Sequence, residues 1–345
     1  MIARLAILLA GLVLDRLVGD PPWMWRSAKH PVAVIGEAIG ALEQRLNRPD
    51  FTGETRRRAG FLTLGLLLLA ALVLGGFVSA LCEAFGFVGM IVEAAIVAIF
   101  LAHKSLVDHV RAVGAALQEG GLAEGRKAVA LIVGRDPTHL DQPGIIRAAI
   151  ESLAENASDG VVAPAFWYLL LGLPGLLAYK VVNTADSMIG HMDERHRDFG
   201  FASAKLDDWM NFVPARLTAL LFAAAAQLSR WAGRGGGARG SGPAGRASPE
   251  RSTFSRVMTI TRRDARLHRS PNAGWPETAM AATLGLALGG PRRYRDLIVD
   301  APQLNSQGRR AASLADLARA ITVLDRAMGL MLAAVVLALL AGLPA

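Results

Sequence analysis

Apolar segments of membrane-spanning length alternate with polar stretches along the chain. Residues 61–81 and 85–102 carry almost no charge, and each approaches the roughly 20 residues that a helix needs to cross a bilayer. A short turn between them predicts a helical hairpin. Further apolar helices are expected over residues 2–14, 212–228 and 327–343. This pattern predicts an all-α fold, a polytopic integral membrane helical bundle with cytoplasmic helical loops.

One apolar segment, residues 161–182, is interrupted by Pro164, Gly172, Pro174 and Gly175. Proline and glycine both weaken a helix interior. A single crossing would place the polar residues on its two sides at opposite membrane faces. A broken or re-entrant hairpin would bring them together, and irregular backbone is tolerated where protein surrounds it. We favour the broken or re-entrant segment.

The chain is both strongly apolar and basic. Hydrophobic residues make up 52% of the chain, and the formal net charge is +8. Ten arginines and two acidic residues lie in the stretch 230–269, as expected for a cytoplasmic loop under the positive-inside rule. We therefore predict a lipid bilayer and no nucleic acid as partner. Residues 231–250 are rich in glycine and arginine, which predicts a disordered linker within a single membrane-embedded domain over 1–345.

A first polar cluster precedes the interrupted segment and contains Glu151, Glu155, Asn156 and Asp159. Residues four apart share a helix face, where two carboxylates repel each other unless a cation or a proton lies between them. The cluster predicts a Mg²⁺ or acid–base site. The alternative is a solvated helix face on which Arg147 pairs with Glu151.

A second cluster follows the interrupted segment and contains Lys180, Asn183, Asp186 and Ser187. Lysine suits phosphate, and the oxygen-bearing side chains suit a hard cation. The alternative is a lysine that reaches the membrane interface beside a helix cap.

A third cluster contains Lys205, Asp207, Asp208, Asn211 and Arg216. Arg216 opens an apolar helix, where an unpaired guanidinium is costly. The cluster predicts a cation and phosphate site, and the alternative is a structural pair between the arginine and one of the aspartates. We predict that the three clusters converge in one pocket at the cytoplasmic rim of the bundle.

Two shorter segments contain further polar residues, each with two interpretations. Ser270 and Asn272 lie in a turn that suits either a phosphate or amide ligand or a plain helix cap. Asp15, Asp20 and His30 could complete a site, although each alone is typical of a cap or turn.

Taken in order, these motifs resemble the adenosylcobinamide-phosphate synthase (CobD/CbiB) family of cobalamin biosynthesis. The motifs are LDRLVGDPP and HPVAVIG within 14–36, ESLAENASDGVVAP at 151–164, YKVVNTADSMIGH at 179–191, FASAKLDDWMNFVPAR at 201–216 and SPNAGWPETAMAATLGLALGG at 270–290. The resemblance implies a multi-pass enzyme of the bacterial inner membrane. It would use ATP to join (R)-1-amino-2-propanol, or its O-phosphate, to the f-propionate of adenosylcobyric acid, and it could associate with other late cobalamin-pathway membrane enzymes.

Our hypothesis for this reaction gives the clustered residues three roles, with ATP and Mg²⁺ as the expected cofactors. Catalysis is assigned to Glu151, Glu155, Asp159, Lys180 and Lys205. Substrate or phosphate binding is assigned to Asn156, Asn183, Ser187, Arg216, Ser270 and Asn272. Metal binding is assigned to Asp186, Asp207, Asp208 and Asn211.

Two other classes of protein remain open from the residues. A Mg²⁺-dependent membrane prenyl or phosphoalcohol transferase would use an acidic motif that Asn183, Asp186 and Asp193 imitate, with unsuitable spacing. A membrane transporter would bind its substrate at broken helices near Pro174.

Overall fold

Helices dominate the computed structural model, which describes residues 1–134, 136–235, 253–290, 292–294, 297–299 and 301–342. The α-helices among these residues are α1 (Ile2–Leu17), α2 (Pro31–Leu46), α3 (Gly53–Ala84), α4 (Gly86–Phe100), α5 (His103–Glu119), α6 (Gly121–Ala130), α7 (Gln142–Ala157), α8 (Ala163–Leu171), α9 (Leu173–Ile189), α10 (Phe201–Met210), α11 (Phe212–Gly235), α12 (Thr253–Asp264), α13 (Gly274–Leu284) and α14 (Leu314–Gly342).

Short elements of other kinds connect the helices. A 3₁₀ turn at Pro22–Trp25 follows α1, another at Ala265–Leu267 follows α12, and a π-helical turn at Ser158–Val162 follows α7. Strands β1 (Leu288–Gly289) and β4 (Gln303–Leu304) pair antiparallel, as do β2 (Arg292–Tyr294) and β3 (Leu297–Val299). These strands are the one departure from the all-α prediction within the described residues.

Several helices begin at side-chain caps that the sequence contains. The hydroxyl of Thr52 accepts from the backbone N–H of Thr55 at 3.3 Å at the start of α3. The carboxylate of Asp141 accepts from Gly144 N at 2.8 Å at the start of α7. Each cap satisfies an N–H that the first helical turn would otherwise leave without a partner.

Four helical stretches among the described residues are long and apolar enough to cross a membrane. They are Gly53–Ala84, Gly86–Glu119, Phe212–Trp231 and Leu314–Gly342. Helix α3 leaves Leu69, Val73 and Phe77 at least 60% exposed. Such a row of apolar side chains is costly in water and matches a lipid-facing surface. The predicted polytopic membrane protein is confirmed.

The chain divides into two compact units. The first contains Met1–Ser105, Asp159–Pro214 and Ala334–Ala345, and the second contains Leu106–Ser158 and Ala215–Ala333.

The core of the first unit lies where α9 packs against α3 and α2. Ile39 of α2, Leu67 of α3 and Val181 of α9 meet in one buried cluster. Helix α3 lies directly against the backbone of Phe199 because residue 60 is a glycine. A Cβ at Gly60 would lie 1.9 Å from the carbonyl oxygen of Phe199. These contacts fix α9, which carries the second polar cluster.

Residues 161–182 form a helical hairpin, which confirms the prediction of a broken segment. Helix α8 ends at Leu171, and α9 begins after Gly172, whose φ is +69°. Glycine tolerates this left-handed backbone at little cost. The two helices pack against each other, and the hydroxyl of Tyr179 donates to the carbonyl oxygen of Asp159 at 3.0 Å. The alternative of one continuous crossing helix is therefore wrong.

The second unit is built around α7, which packs against α6 and α13. Ile146, Ile150 and Leu153 of α7 are fully buried. Two predicted boundaries differ here, because α14 begins at Leu314 rather than at residue 327, and α11 continues to Gly235. The rest of the predicted linker, 236–250, lies outside the described residues.

Candidate functional site

The second and third polar clusters meet within the first unit. We define the α9–α10 cluster as Lys180, Asn183 and Asp186 of α9 with Asp207 and Asn211 at α10 and its C-terminal end. The amide of Asn183 donates to Asp207 Oδ1 at 3.4 Å. Helices α9 and α10 are in direct contact along this face. Spacing alone could not establish this contact, since the residues are far apart in sequence.

Asp207 is an acid of the α9–α10 cluster with a strongly perturbed pKa. Burial and the nearby Asp186 carboxylate together raise its pKa to about 7. Hydrogen bonding by the Asn211 and Asn183 side chains acts in the opposite direction. Two carboxylates in a poorly hydrated place favour the uptake of a proton or a cation.

The donors in this cluster fit a Mg²⁺ that arrives with a nucleotide. Among the described residues, no group of three or more His, Cys, Asp or Glu side chains could hold a metal ion. Mg²⁺ in nucleotide sites needs only one or two carboxylates, with phosphates and waters as the other ligands. The Asp186 and Asp207 pair meets that requirement. Asn211 lies beside Asp207, and its Oδ1 also accepts from the Tyr179 hydroxyl at 2.9 Å.

Lys180 supplies a cation in the same cluster. It is partly buried in α9, and burial lowers its pKa while the Asp159 carboxylate raises it. Within the part of the chain that the structure describes, Lys180 forms no salt bridge within 4.0 Å and its ammonium makes no hydrogen bond. A lysine in this situation is suited to an anionic ligand.

Three predicted site residues have other neighbours. The hydroxyl of Ser187 donates to the carbonyl oxygen of Asn183 at 2.9 Å. Lys205 lies 3.8 Å from Asp208 and is 65% exposed. Lys205 also borders an apolar groove of about 440 Å³ whose walls include Phe61 and Trp209. The structure thus pairs Lys205 and Asp208 at the surface of α10.

In the second unit, the two predicted glutamates of α7 have different surroundings. Glu151 is only 6% exposed, and its Oε1 accepts from the backbone N–H of Gly289 at 2.7 Å. Glu155 and Asn156 are exposed at the end of the helix. Glu151 therefore anchors strand β1, whereas Glu155 is exposed to solvent. Arg147 donates to a backbone carbonyl, that of Arg310, at 2.7 Å.

The second unit also brings Arg216 and Asn272 together. Arg216 Nη1 donates to Asn272 Oδ1 at 3.2 Å, and its guanidinium lies 4.7 Å from the centre of the Trp275 ring. These contacts hold the planar guanidinium in one orientation, which favours bidentate binding of phosphate. Ser270 acts as a turn cap, because its hydroxyl accepts from the backbone N–H groups of Asn272 and Ala273 at 3.2 Å.

The α9–α10 cluster and the Arg216–Asn272 pair belong to different units. The convergence of all three polar clusters in one pocket stays a prediction, as do the assigned roles of the individual residues.

Sequence reasoning undervalued the segment before α2. His30 Nε2 lies 3.3 Å from Asp20 Oδ2, and the His30 ring lies 4.6 Å from that of Trp25 in a T-shaped contact. Burial lowers the pKa of His30, Asp20 raises it, and Lys180 lowers it again. His30 therefore lies within electrostatic reach of both Asp20 and Lys180. The signal in the sequence was the joint presence of Asp20 and His30 in the first two motifs, LDRLVGDPP and HPVAVIG.

Comparison with known proteins gives consistent matches over nearly the full length. The family model described as CobD/Cbib protein matches residues 8–324. Cobalamin biosynthesis protein CobD of Brucella suis biovar 1 is 51% identical over 345 residues, which cover 99% of this chain and 98% of the relative. The CobD proteins of Brucella anthropi and Rhizobium meliloti are 49% and 48% identical, over 99% and 95% of this chain and 98% and 94% of each relative. No solved structure matches the chain.

Proposed function

Because the chain belongs to the CobD/CbiB family of cobalamin biosynthesis proteins, we propose that it is an acid–amine ligase of that pathway. It joins (R)-1-amino-2-propanol, or its O-phosphate, to the f-propionate of adenosylcobyric acid, and it consumes ATP. The product is adenosylcobinamide or its phosphate. The observation that carries this proposal is the α9–α10 cluster, in which Lys180, without a salt-bridge partner among the described residues, accompanies the Asp186 and Asp207 carboxylates.

The chemistry requires activation of a carboxylate, which is a poor acyl donor. A propionate oxygen attacks the γ-phosphorus of ATP, the bond to the β,γ-bridging oxygen breaks, and ADP leaves. The amine nitrogen then attacks the acyl carbon, the bond from that carbon to the phosphate oxygen breaks, and inorganic phosphate leaves. Before this attack the ammonium gives one proton to a base, for which Glu155 and Asp159 are the candidates, and the second proton that the nitrogen loses leaves with the phosphate.

We assign charge stabilisation and substrate positioning in these steps to individual residues. Lys180 stabilises negative charge on the transferring phosphoryl group. Arg216, oriented by Asn272 and Trp275, binds a substrate phosphate. Asp186 and Asp207 would hold Mg²⁺, which would supply charge neutralisation on the bound nucleotide.

The proposal also covers the location of the protein in the cell. The arginine-rich stretch 230–269 supports a cytoplasmic position for the loops, where ATP is available. The relatives named above are bacterial proteins, which supports our proposal that the protein is located in the inner membrane of a bacterium.

The direct test measures ADP release and amide formation by the purified protein in detergent. Both should require adenosylcobyric acid, the amine, ATP and Mg²⁺ together. We expect Lys180→Met to lower kcat about 100-fold or more. Lys127→Met is the matched control, because Lys127 is exposed and pairs with Glu124 at 2.6 Å. The assignments of Glu155 and Asp208 fail if Glu155→Gln and Asp208→Asn both keep full ATP- and Mg²⁺-dependent amide formation.

One observation favours a second candidate, a transporter. The α8–α9 hairpin, broken at Gly172, resembles the interrupted helices on which transporters bind their substrates. Uptake of a corrinoid into proteoliposomes without ATP turnover would favour this candidate over the ligase.

A further inference from the structure

The carboxylate of Asp20 is held by two neutral N–H donors. The Nδ1 atom of His30 accepts from the backbone N–H of Val32 at 3.1 Å. In the neutral ring, Nε2 therefore carries the hydrogen, and it faces Asp20 Oδ2 at 3.3 Å. The indole N–H of Trp25 donates to the other oxygen, Asp20 Oδ1. Each oxygen keeps lone-pair capacity for a further donor.

These donors fix the orientation of the carboxylate without neutralising it. His30 favours the neutral form, because burial lowers its pKa and the positive charge of Lys180 lowers it as well. The Asp20 carboxylate acts in the opposite direction, and the net shift is downward. Within the described residues, Asp20 forms no ion pair with a lysine or an arginine. A second acid, Asp15, lies within electrostatic reach of Asp20. The negative charge on Asp20 thus lacks a fixed counter-ion.

Asp15 and Lys104, which lie near Asp20 in the fold, are held in place by backbone contacts. Asp15 is only 2% exposed, and its carboxylate accepts from the backbone N–H of His103 at 2.9 Å. Lys104 lies close to Asp15, and its stem packs on Gly19, where a Cβ would lie 2.7 Å from Lys104 Cδ. Gly19 has a φ of +67°, so this turn depends on glycine. The turn presents Asp20 with its side chain 31% exposed.

We propose that Asp20, oriented by Trp25 and His30, binds the ammonium group of the amine substrate. This inference rests on the proposed ligase function. A preorganised carboxylate with accessible lone pairs is suited to an ammonium ion. Among the substrates of the proposed reaction, only the amino alcohol carries such a group. ATP and the corrinoid present phosphates, amides and a carboxylate.

The location of Asp20 agrees with the chemistry. His30 contacts Asp20 and also lies within electrostatic reach of Lys180. An ammonium bound at Asp20 is therefore held near the residue that is proposed to stabilise the transferring phosphoryl group. Once this ammonium has given a proton to the base, its nitrogen attacks the acyl carbon that bears the phosphoryl group, so the nucleophile and the leaving group are brought to the same part of the first unit.

The experiment measures the KM for each substrate separately in the full-length protein. Asp20→Asn should raise the KM for 1-amino-2-propanol about 10- to 100-fold, since the negative charge that strengthens the hydrogen bond to the ammonium is lost. The KM for ATP and for adenosylcobyric acid should change less than about twofold. Trp25→Phe and His30→Gln leave the carboxylate in place but remove or alter one donor, so each should raise the amine KM by a smaller factor. Asp50→Asn is the control, because Asp50 is 61% exposed and pairs with Arg48.

Direct binding separates this inference from the proposed function. In calorimetry, wild-type protein should bind 1-amino-2-propanol and not 1,2-propanediol, which lacks the ammonium, and Asp20→Asn should lose that binding. If the wild-type protein forms no amide, the ligase proposal fails, whereas amine binding that depends on Asp20 still supports the site. Equal changes of all three KM values, or unchanged amine binding in Asp20→Asn, would overturn the inference. If Asp20→Asn does not fold, the KM for the amine is compared in Trp25→Phe and His30→Gln. An unchanged KM in both variants would overturn the inference.

Discussion

The hydroxyl of Tyr179 lies 3.0 Å from the backbone carbonyl oxygen of Asp159. This contact joins the two ends of the α8–α9 hairpin, since Asp159 precedes α8 and Tyr179 belongs to α9. The same hydroxyl lies 2.9 Å from Asn211 Oδ1, so its single hydrogen is shared between two acceptors. A fully buried tyrosine thereby connects the start of the hairpin, α9 and the end of α10.

The first prediction concerns this tyrosine. Tyr179→Phe removes the only hydrogen that the side chain can donate and leaves two acceptors without it. We expect a loss of about 1–3 kcal/mol in the free energy of unfolding. Thermal unfolding of the purified protein in detergent, followed by circular dichroism, measures the change. Thr259→Ala is a suitable control, because Thr259 is exposed and its hydroxyl bonds only within its own helix, to Ser255 O at 2.8 Å. Equal stability of the two variants would show that the Tyr179 contacts contribute nothing.

The second prediction concerns the pH dependence that Asp207 confers. Burial, and then Asp186, raise its pKa to about 7 from a reference value of 3.8. The folded protein therefore binds this proton more tightly than the unfolded chain. The stability that the group contributes is complete below about pH 4 and is lost as the pH rises through about 7.

Asp207→Asn should accordingly stabilise the metal-free protein at about pH 8, by an amount on the order of 1–4 kcal/mol, and should have little effect at about pH 4. Thermal unfolding in the presence of a chelator over this pH range tests the prediction. The same gain at every pH would mean that the effect does not arise from ionisation of Asp207.

The third prediction separates a structural from a catalytic role for Glu151. Its Oε1 accepts from Gly289 N at 2.7 Å. Glutamine keeps an oxygen acceptor at that position, whereas alanine leaves the Gly289 N–H without this partner. We expect Glu151→Gln to keep the stability of the wild type and Glu151→Ala to lose about 1–3 kcal/mol. Activity is measured on the same samples, and a Glu151→Gln protein that is stable but inactive would establish the catalytic role instead.

The fourth prediction uses two glycines of the same helix. A Cβ at Gly60 would lie 1.9 Å from the carbonyl oxygen of Phe199, whereas a Cβ at Gly65 meets no atom within 4 Å. Gly60→Ala must displace backbone and should cost about 1–3 kcal/mol or more. Gly65→Ala should be neutral or slightly stabilising, because alanine is the better helix former. The ratio of folded to aggregated protein after detergent extraction reports both, and similar losses in the two variants would contradict the packing argument.

Local pattern was sufficient for the long apolar helices. The apolar length of residues 61–81 fixed the membrane span within α3, and the Pro and Gly residues of 161–182 indicated a break that the structure places at Gly172. Boundaries were less accurate. Helix α14 begins at Leu314 because its first turns are amphipathic, and a search for uncharged runs does not detect them. The short strand pairs at 288–304 were missed, since two-residue strands leave no periodicity.

The sequence by itself determined the class of protein and the types of residue at its site, because hydropathy, charge and motif order are properties of the chain alone. It could not decide which of those residues meet. Glu151 and Glu155 look equivalent four residues apart, yet one anchors Gly289 and the other is exposed. His30 caps α2, as its sequence position suggests, but only the packing of α2 against α9 brings it near Lys180. Burial and long-range contact set the charge state and partners of each group, and both arise only when helices distant in sequence pack together.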